Sequence, residues 1–163
     1  MSSVLNTRNF RIAFQRCVSR LPSRMTFAVP YIGTLPGLPS VVEFFRRAVS
    51  QGTAISLVTK PPGTDRGTLD HHSARLIEQL GVSLMVRPRL HSKVYQFTFP
   101  QGDRNAFVGS ANLSAGGFQR NDETVAHFWA KDENDEVEAE LSRLSGPGAT
   151  PYSQWLSSPT QGA

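Results

Sequence analysis

The sequence is poor in cysteine, in lysine and in unbroken apolar stretches. With a single cysteine, Cys17, no internal disulfide can form, and a reducing compartment is the natural setting. Cys17 falls on an apolar helical stripe, which reads as a buried, inert thiol and not as a nucleophile. Arginines interrupt every apolar run of the opening MSSVLNTRNFRIAFQRC, so it has no continuous signal-peptide core, and no segment approaches membrane-spanning length. The expectation is a soluble, cytoplasmic protein with no membrane partner.

Lysine is outnumbered by arginine, 3 against 14. Six of the 13 acidic residues sit in DENDEVEAE (132–140), so the remainder carries 17 basic against 7 acidic groups and the modest net charge of +4 conceals a strongly basic body. Such a surplus serves either a polyanionic partner or a merely soluble surface. Arginine's planar fork is the better bidentate phosphate binder, which favours nucleic acid.

The 163 residues, 39% hydrophobic, fit one domain over 1–145, followed by a Gly/Pro/Ser-rich stretch, 146–163. Helical spacing predicts an amphipathic helix over Thr7 to Leu21, with Phe10, Phe14 and Cys17 inward and Arg8, Arg11 and Arg20 off that face. MTFAVPYI (25–32) reads as a buried strand. Ser40 and Glu43 form a capping-box pattern opening a helix that Gly52 ends. AISLVTK (54–60) is a strand, PPGTDRG (61–67) a surface loop expected to be mobile, Asp70 to Leu80 a helix and VSLMV (82–86) a strand. That alternation predicts parallel strands with crossover helices.

KVYQFTF (93–99), AFVGS (106–110) and ETVAHFWA (123–130) have short connections and predict an antiparallel continuation of the same sheet. A final helix over about 133–144 points Val137, Leu141 and Leu144 inward and crowds its acids at the end the helix dipole favours. The stretch after 145 reads as a flexible tail, although Tyr152 and Trp155 are suited to docking on the body or on a second subunit.

Two short segments carry chemistry. In LHSK (90–93) strand alternation would turn His91 and Lys93 to the same side. In GSANLSAGG (109–117), Gly109 permits a close backbone approach to a ligand and Ser110 and Asn112 supply polar groups. Gly116 and Gly117 allow a sharp turn after Asn112. Glu123 opens the next strand, within reach of the same end. An imidazole can attack phosphorus, a lysine and an amide can stabilise the non-bridging oxygens, and a carboxylate can hold the imidazole's tautomer. Asp70-His71-His72 suggests a metal site weakly, because adjacent helical side chains diverge, and His127 in AHFWA reads as a packed histidine.

H-x-K, then G-S-x-N, then a glutamate eleven residues past the asparagine resembles the phospholipase D superfamily, whose signature is H-x-K-x4-D followed by G-S-x-N. His91 and Lys93 match, but the aspartate position is Thr98, which weighs against the lipid-hydrolysing branch. The pattern is closer to the metal-independent restriction endonucleases of the BfiI and NgoFVII type. The resemblance implies a phospholipase D-like α/β fold, a mixed β-sheet flanked by α-helices. It assigns catalysis to His91, Lys93, Asn112 and Glu123, with Ser110 on the phosphate and no cofactor or metal.

Because the superfamily's site needs two such motifs and the chain has one, the resemblance also implies a homodimer sharing one site. Arg87, Arg89, Arg104 and Arg120 are expected as backbone contacts. The resulting expectation is a metal-independent nuclease acting on DNA more readily than RNA, of restriction or defence type. A separate specificity or helicase subunit would supply sequence recognition, docked by the loop 33–40 or the tail. Two alternatives stay open: a phospholipase D-type lipid phosphodiesterase, and a non-catalytic nucleic-acid-binding subunit.

Overall fold

Apolar side chains at helical and alternating spacing cannot all be buried by separate elements, and a single mixed sheet with helices on both faces accommodates them. The computed structural model describes residues 1–158. Its elements are β1 (Ser2–Asn6), α1 (Thr7–Ser19), β2 (Arg24–Ala28), α2 (Val41–Ser50), β3 (Ala54–Thr59), α3 (His71–Gln79) and β4 (Ser83–Val86). There follow β5 (Val94–Thr98), β6 (Arg104–Gly109), a π-helical turn (Gly116–Arg120), β7 (Thr124–Phe128), α4 (Lys131–Ser145), β8 (Thr150–Pro151) and α5 (Tyr152–Leu156). The eight strands are ordered β1-β7-β6-β5-β2-β3-β4-β8.

The helix-strand alternation up to residue 86 produces what crossover connections require: β2, β3 and β4 are parallel neighbours. Short connections make β5, β6 and β7 an antiparallel meander that joins at β2, with Val94 opposite Ala28. β5 lies at the centre and is covered on both sides. Its Tyr95 and Phe97 face the core under α1, where Phe10, Phe14, Phe27, Phe107 and Phe118 also pack. Ring centroids there lie 4.8–6.4 Å apart and most pairs are tilted or edge-to-face, the arrangement aromatic quadrupoles prefer.

The opposite face is aliphatic. Ala28, Val58, Val94 and Ala106 meet Val137, Leu141 and Leu144 of α4, the three residues expected inward. Within this face lies a buried amide pair. Gln96 Nε2 donates to the Asn134 carbonyl at 2.8 Å and to its Oδ1 at 3.2 Å, and Asn134 Nδ2 donates to Ala130 O at 2.9 Å.

Several local expectations change. β1 was not anticipated; it pairs antiparallel with β7 at the sheet edge and leads directly into the N-terminal helix, which begins at Thr7 as expected, capped by the Asn6 side chain, and ends at Ser19 instead of Leu21. The strand expected over 25–32 stops at Ala28, because Pro30 lacks an amide hydrogen for a ladder bond; the buried residues beyond it belong to a connection. Only half of the capping box forms. Ser40 Oγ accepts the Glu43 N–H at 3.3 Å, but the Glu43 carboxylate turns to Arg46 and Arg47.

The loop 61–67, expected to be mobile, is tied at both ends. Pro61 and Pro62 are buried, Gly63 N–H donates to Leu69 O, and Lys60 pairs with Asp65 at 2.8 Å. The stretch after 145 adds β8 to β4 and then α5, whose Tyr152 is fully buried with its hydroxyl 3.0 Å from His71 Nδ1. The last five residues of the expected tail, 159–163, lie outside the described residues. Cys17 is buried, and desolvation pushes its thiol up to about 12, so it is inert. Among the described residues no helix is long and apolar enough to cross a membrane.

Candidate active site

The two chemistry-bearing segments meet at one edge of the sheet. The C-terminal ends of β2, β3 and β4 share that edge with the start of β5, the end of β6, the start of β7 and the end of β1. In open α/β sheets, ligands bind outside the carboxyl ends of the strands, where the connectivity changes direction. Here the change falls between β2 and β5.

His91 and Lys93 precede β5 instead of lying within it, so strict strand alternation does not set their directions. The ladder still reaches Lys93, whose carbonyl accepts the Gly109 N–H at 3.2 Å. Lys93 Nζ donates to the His91 carbonyl at 3.1 Å, fixing the ammonium against the histidine's own backbone while two of its hydrogens stay available. The His91 side chain is exposed and has no protein partner among the described residues, so both ring nitrogens are accessible.

Ser110 and Glu123 come together across the ends of β6 and β7. Ser110 Oγ–H donates to Glu123 Oε2 in a close hydrogen bond, and Ser110 Oγ accepts the Thr124 N–H at 3.0 Å. A serine has one hydroxyl hydrogen. With that hydrogen on Glu123, Ser110 positions the carboxylate. The other carboxylate oxygen accepts Asn121 Nδ2 at 3.2 Å. Glu123 is therefore held by Ser110 and Asn121, and not by His91 of the same chain.

Asn112 is half-buried, and among the described residues its Oδ1 is enclosed with no partner and its Nδ2 makes no hydrogen bond. A buried amide oxygen left unpaired costs on the order of 1–3 kcal/mol, which marks the residue as held for something beyond stability. The segment carrying it is braced on three sides. Tyr95 Oη donates to Ala111 O at 2.8 Å, Gly33 N–H donates to Leu113 O at 2.9 Å, and Ala115 N–H donates to Thr34 O at 3.0 Å. The 33–40 loop, considered for partner docking, thus begins as a brace for the site.

The glycines serve backbone-to-backbone approach. A Cβ on Gly109 would lie 2.3 Å from Thr124 O, and one on Gly117 would lie 2.2 Å from Asn112 O and 2.7 Å from Asn112 N. Gly109 therefore admits the neighbouring strand and not a ligand. Gly117 lets the π-helical turn press against Asn112; neither Gly116 nor Gly117 has the positive φ of a sharp turn.

The arginines divide. Arg89 and Arg120 are exposed. Arg87 is committed to the C-terminal end of α4, donating to Leu144 O at 3.1 Å and Pro147 O at 3.0 Å. Arg104 opens β6 at the far end from Gly109 and is held by Glu138 at 2.6 Å and by Asp135. It lies roughly 17 Å along the strand from the site, so the expected phosphate contact there is corrected to a structural ion pair. Thr98, at the family's aspartate position, likewise ends β5 about five residues from Lys93. The missing carboxylate would thus have stood remote from His91 and Lys93.

Three positioning residues escaped the sequence reading. Tyr95 looked like one more buried aromatic. Asn121 lies in a loop that carried no signal. Thr7 Oγ1 donates to Asn121 O at 2.6 Å and accepts the Glu123 N–H at 2.9 Å, and only its place at the first turn of α1 could have suggested it. Of the other histidines, His71 bonds Tyr152, and among the described residues no cluster of three or more metal-ligating side chains occurs near it or elsewhere. His127 packs on Phe107 with centroids 4.5 Å apart, and its Nε2 lies 2.6 Å from Asn105 Oδ1.

The family model described as "Cardiolipin synthase, PLD-like domain" matches residues 19–145. The chain belongs to the phospholipase D-like family. Its fold is similar to that of Nuc from Salmonella typhimurium, a phospholipase D family member, at 17% identity and TM-score 0.62, covering 93% of this chain and 99% of Nuc. It is also similar to NucT from Helicobacter pylori, at 12% identity and TM-score 0.67, covering 93% and 98%. TrmBL2, an archaeal chromatin protein, matches at 11% identity and TM-score 0.61 over 93% of this chain and 55% of its own. No curated protein matches the sequence.

Proposed function

We propose that this phospholipase D-like protein is a phosphodiesterase that cleaves nucleic acid, DNA before RNA, through a phosphohistidine in a site shared by two copies of the chain. The observation that carries the reading is the unpartnered imidazole of His91 beside Lys93, at the same sheet edge as the braced, unsatisfied amide of Asn112. An imidazole with free nitrogens is a nucleophile, and a fixed ammonium and amide suit the charge that develops on the non-bridging oxygens.

In the first step a ring nitrogen of His91 bonds to phosphorus while the bond to the leaving oxygen breaks. A protonated His91 from a second copy gives its proton to that oxygen. In the second step the now neutral imidazole takes a proton from water, the water oxygen bonds to phosphorus, the P–N bond breaks, and the phosphate monoester leaves. Glu123, held by Ser110, Asn121 and the Thr7-anchored backbone, supplies fixed negative charge near the cationic intermediates.

The nuclease assignment is supported by the basic surplus, by exposed Arg89 and Arg120, and by the likeness to Nuc and NucT. A restriction or defence role in the cytoplasm, with recognition from a separate specificity or helicase subunit, belongs to the same reading. The test is cleavage of plasmid and of single-stranded oligonucleotides in EDTA by the wild type and by His91→Ala. Cleavage that persists under chelation and vanishes in the variant is expected. Cleavage abolished by EDTA, or retained in His91→Ala, would overturn the scheme, and hydrolysis of phosphatidylcholine in place of nucleic acid would move the substrate to lipid.

A further inference from the structure

The mechanism leaves unused a second basic feature, one link from Glu123. Between the first turns of α1 and the π-helical turn lies an open cleft of about 240 Å³ whose walls include Arg8, Arg11, Arg120, Asn121 and Asp122. Asn121 belongs to both places, since its side chain donates to Glu123 and its carbonyl accepts the Thr7 hydroxyl. The cleft is therefore tied to the candidate active site through the hydrogen bonds of Asn121.

The charges in this cleft run against local stability. The first turn of α1 contains no acid and carries Arg8, with Arg11 three residues on. Cations at a helix N-terminus oppose the dipole, and like charges at i, i+3 repel. α4 of the same chain does the opposite, placing Asp132 and Glu133 in its first turn. Arg20, Arg46, Arg47, Arg104 and Arg143 have carboxylate partners; Arg8, Arg11 and Arg120 belong to the larger group of arginines with none among the described residues, and these three face one cleft. The one acid in the cleft, Asp122, is within ion-pair distance of none of them. An anion bound between the three would relieve both penalties at once.

We infer that this cleft is a second phosphate subsite, holding the backbone phosphate of a nucleic-acid strand next to the one cleaved, an inference that rests on the nuclease reading of the adjacent site. Arg120 on the turn and Arg8 and Arg11 on α1 grip the strand from two sides and set its direction across the sheet edge. Because these contacts reach phosphate and not bases, they add affinity without sequence preference.

The test is a salt titration, in EDTA, of the binding of a fluorescein-labelled single-stranded oligonucleotide to the His91→Ala protein, with and without Arg8→Ala, Arg11→Ala and Arg120→Ala together. Each phosphate contact on a single strand contributes ~0.7 to the slope of log K against log salt. Losing three lowers the slope by about 2 and the affinity at 0.1 M salt by roughly a hundredfold. Arg24→Ala removes an exposed arginine from the end of β2 far from the site and leaves slope and affinity unchanged.

Should the triple variant fail to fold, Arg120→Ala alone lowers the slope by ~0.7. An unchanged slope, an equal fall with Arg24→Ala, or binding of phosphatidylglycerol vesicles in place of the oligonucleotide overturns the inference. Cleavage is scored separately. If the oligonucleotide binds through these arginines but the wild type does not cut it, the catalytic reading falls and the cleft stands.

Discussion

Replacing Gly117 by alanine tests whether the π-helical turn holds Asn112 in place. The added Cβ would lie 2.2, 2.7 and 3.0 Å from the backbone O, N and C of Asn112. Those atoms cannot step aside as a flexible side chain can, so the turn and the 110–113 segment must separate by about 1 Å. Overpacking of this kind costs about 1–3 kcal/mol. Against it stands the ~0.4–1 kcal/mol that alanine gains over glycine through a less flexible unfolded chain.

A net loss near 1 kcal/mol lowers the melting temperature by about 2–4 °C in a domain of this size. A misplacement of ~1 Å at a catalytic group also costs on the order of a hundredfold in rate. Gly116→Ala is the control. Its Cβ would approach Asn121 Nδ2 at 3.2 Å and Ser114 Oγ at 3.4 Å, both side-chain ends that can shift, so stability changes by no more than ~1 kcal/mol in either direction. Thermal unfolding followed by circular dichroism, with oligonucleotide cleavage alongside, reads both effects. If Gly117→Ala melts with the wild type and cleaves as fast, or if Gly116→Ala is equally damaged, the close approach has no part in holding the site.

Tyr95→Phe removes the donor from the buried Ala111 carbonyl; a loss of about 1–2 kcal/mol is expected, with a fall in turnover larger than any change in KM. Arg104→Ala separates α4 from β6 by removing the pairs to Asp135 and Glu138, costing about 1–2 kcal/mol by denaturant unfolding. It leaves the salt dependence of oligonucleotide binding unaltered, whereas a phosphate-contact arginine would not. Burial holds the His127 imidazole below its ordinary value, so as pH falls the unfolded chain takes up this proton before the folded one. Stability is therefore fully present above about pH 6.5 and declines below it until the folded ring titrates. His127→Gln flattens unfolding free energy against pH below about 6.5, and an unchanged slope there would show that the ring is not desolvated.

The sheet was legible where periodicity and punctuation agreed. Val41, Phe44, Phe45 and Ala48 behind a Ser40 cap could only be an amphipathic helix, and strands alternating with helices up to Val86 implied parallel neighbours. β1 was hidden because an edge strand with only Val4 and Leu5 apolar, and Val4 exposed, leaves little hydrophobic signal. β8 is two residues ending in proline and forms only because β4 offers an edge.

At the site, the residue types were readable from the motifs, but the partners were not. Ser110 binding Glu123 depends on how the ends of β6 and β7 register, and the steric need for Gly109 and Gly117 depends on which backbone lies opposite. The long-range choice between phosphate and carboxylate was also invisible for Arg104, whose acids are more than thirty residues away in sequence.

The buried contact between Gln96 and Asn134 has a consequence for how the chain tolerates substitution. An aliphatic interface lets a helix slide or roll by a fraction of a turn at little cost, but a buried amide that donates to both the carbonyl and the side chain of Asn134 favours one setting. α4 is thus locked in rotation over the central strand, and the strand that begins beside His91 and Lys93 is held straight from behind. Leucine at position 96 alone would strand the side-chain oxygen of Asn134, whereas leucine at 134 leaves Gln96 its bond to the backbone carbonyl there. Leucine at both would give a firmer but looser-fitting molecule, with α4 free to wander over a greased face.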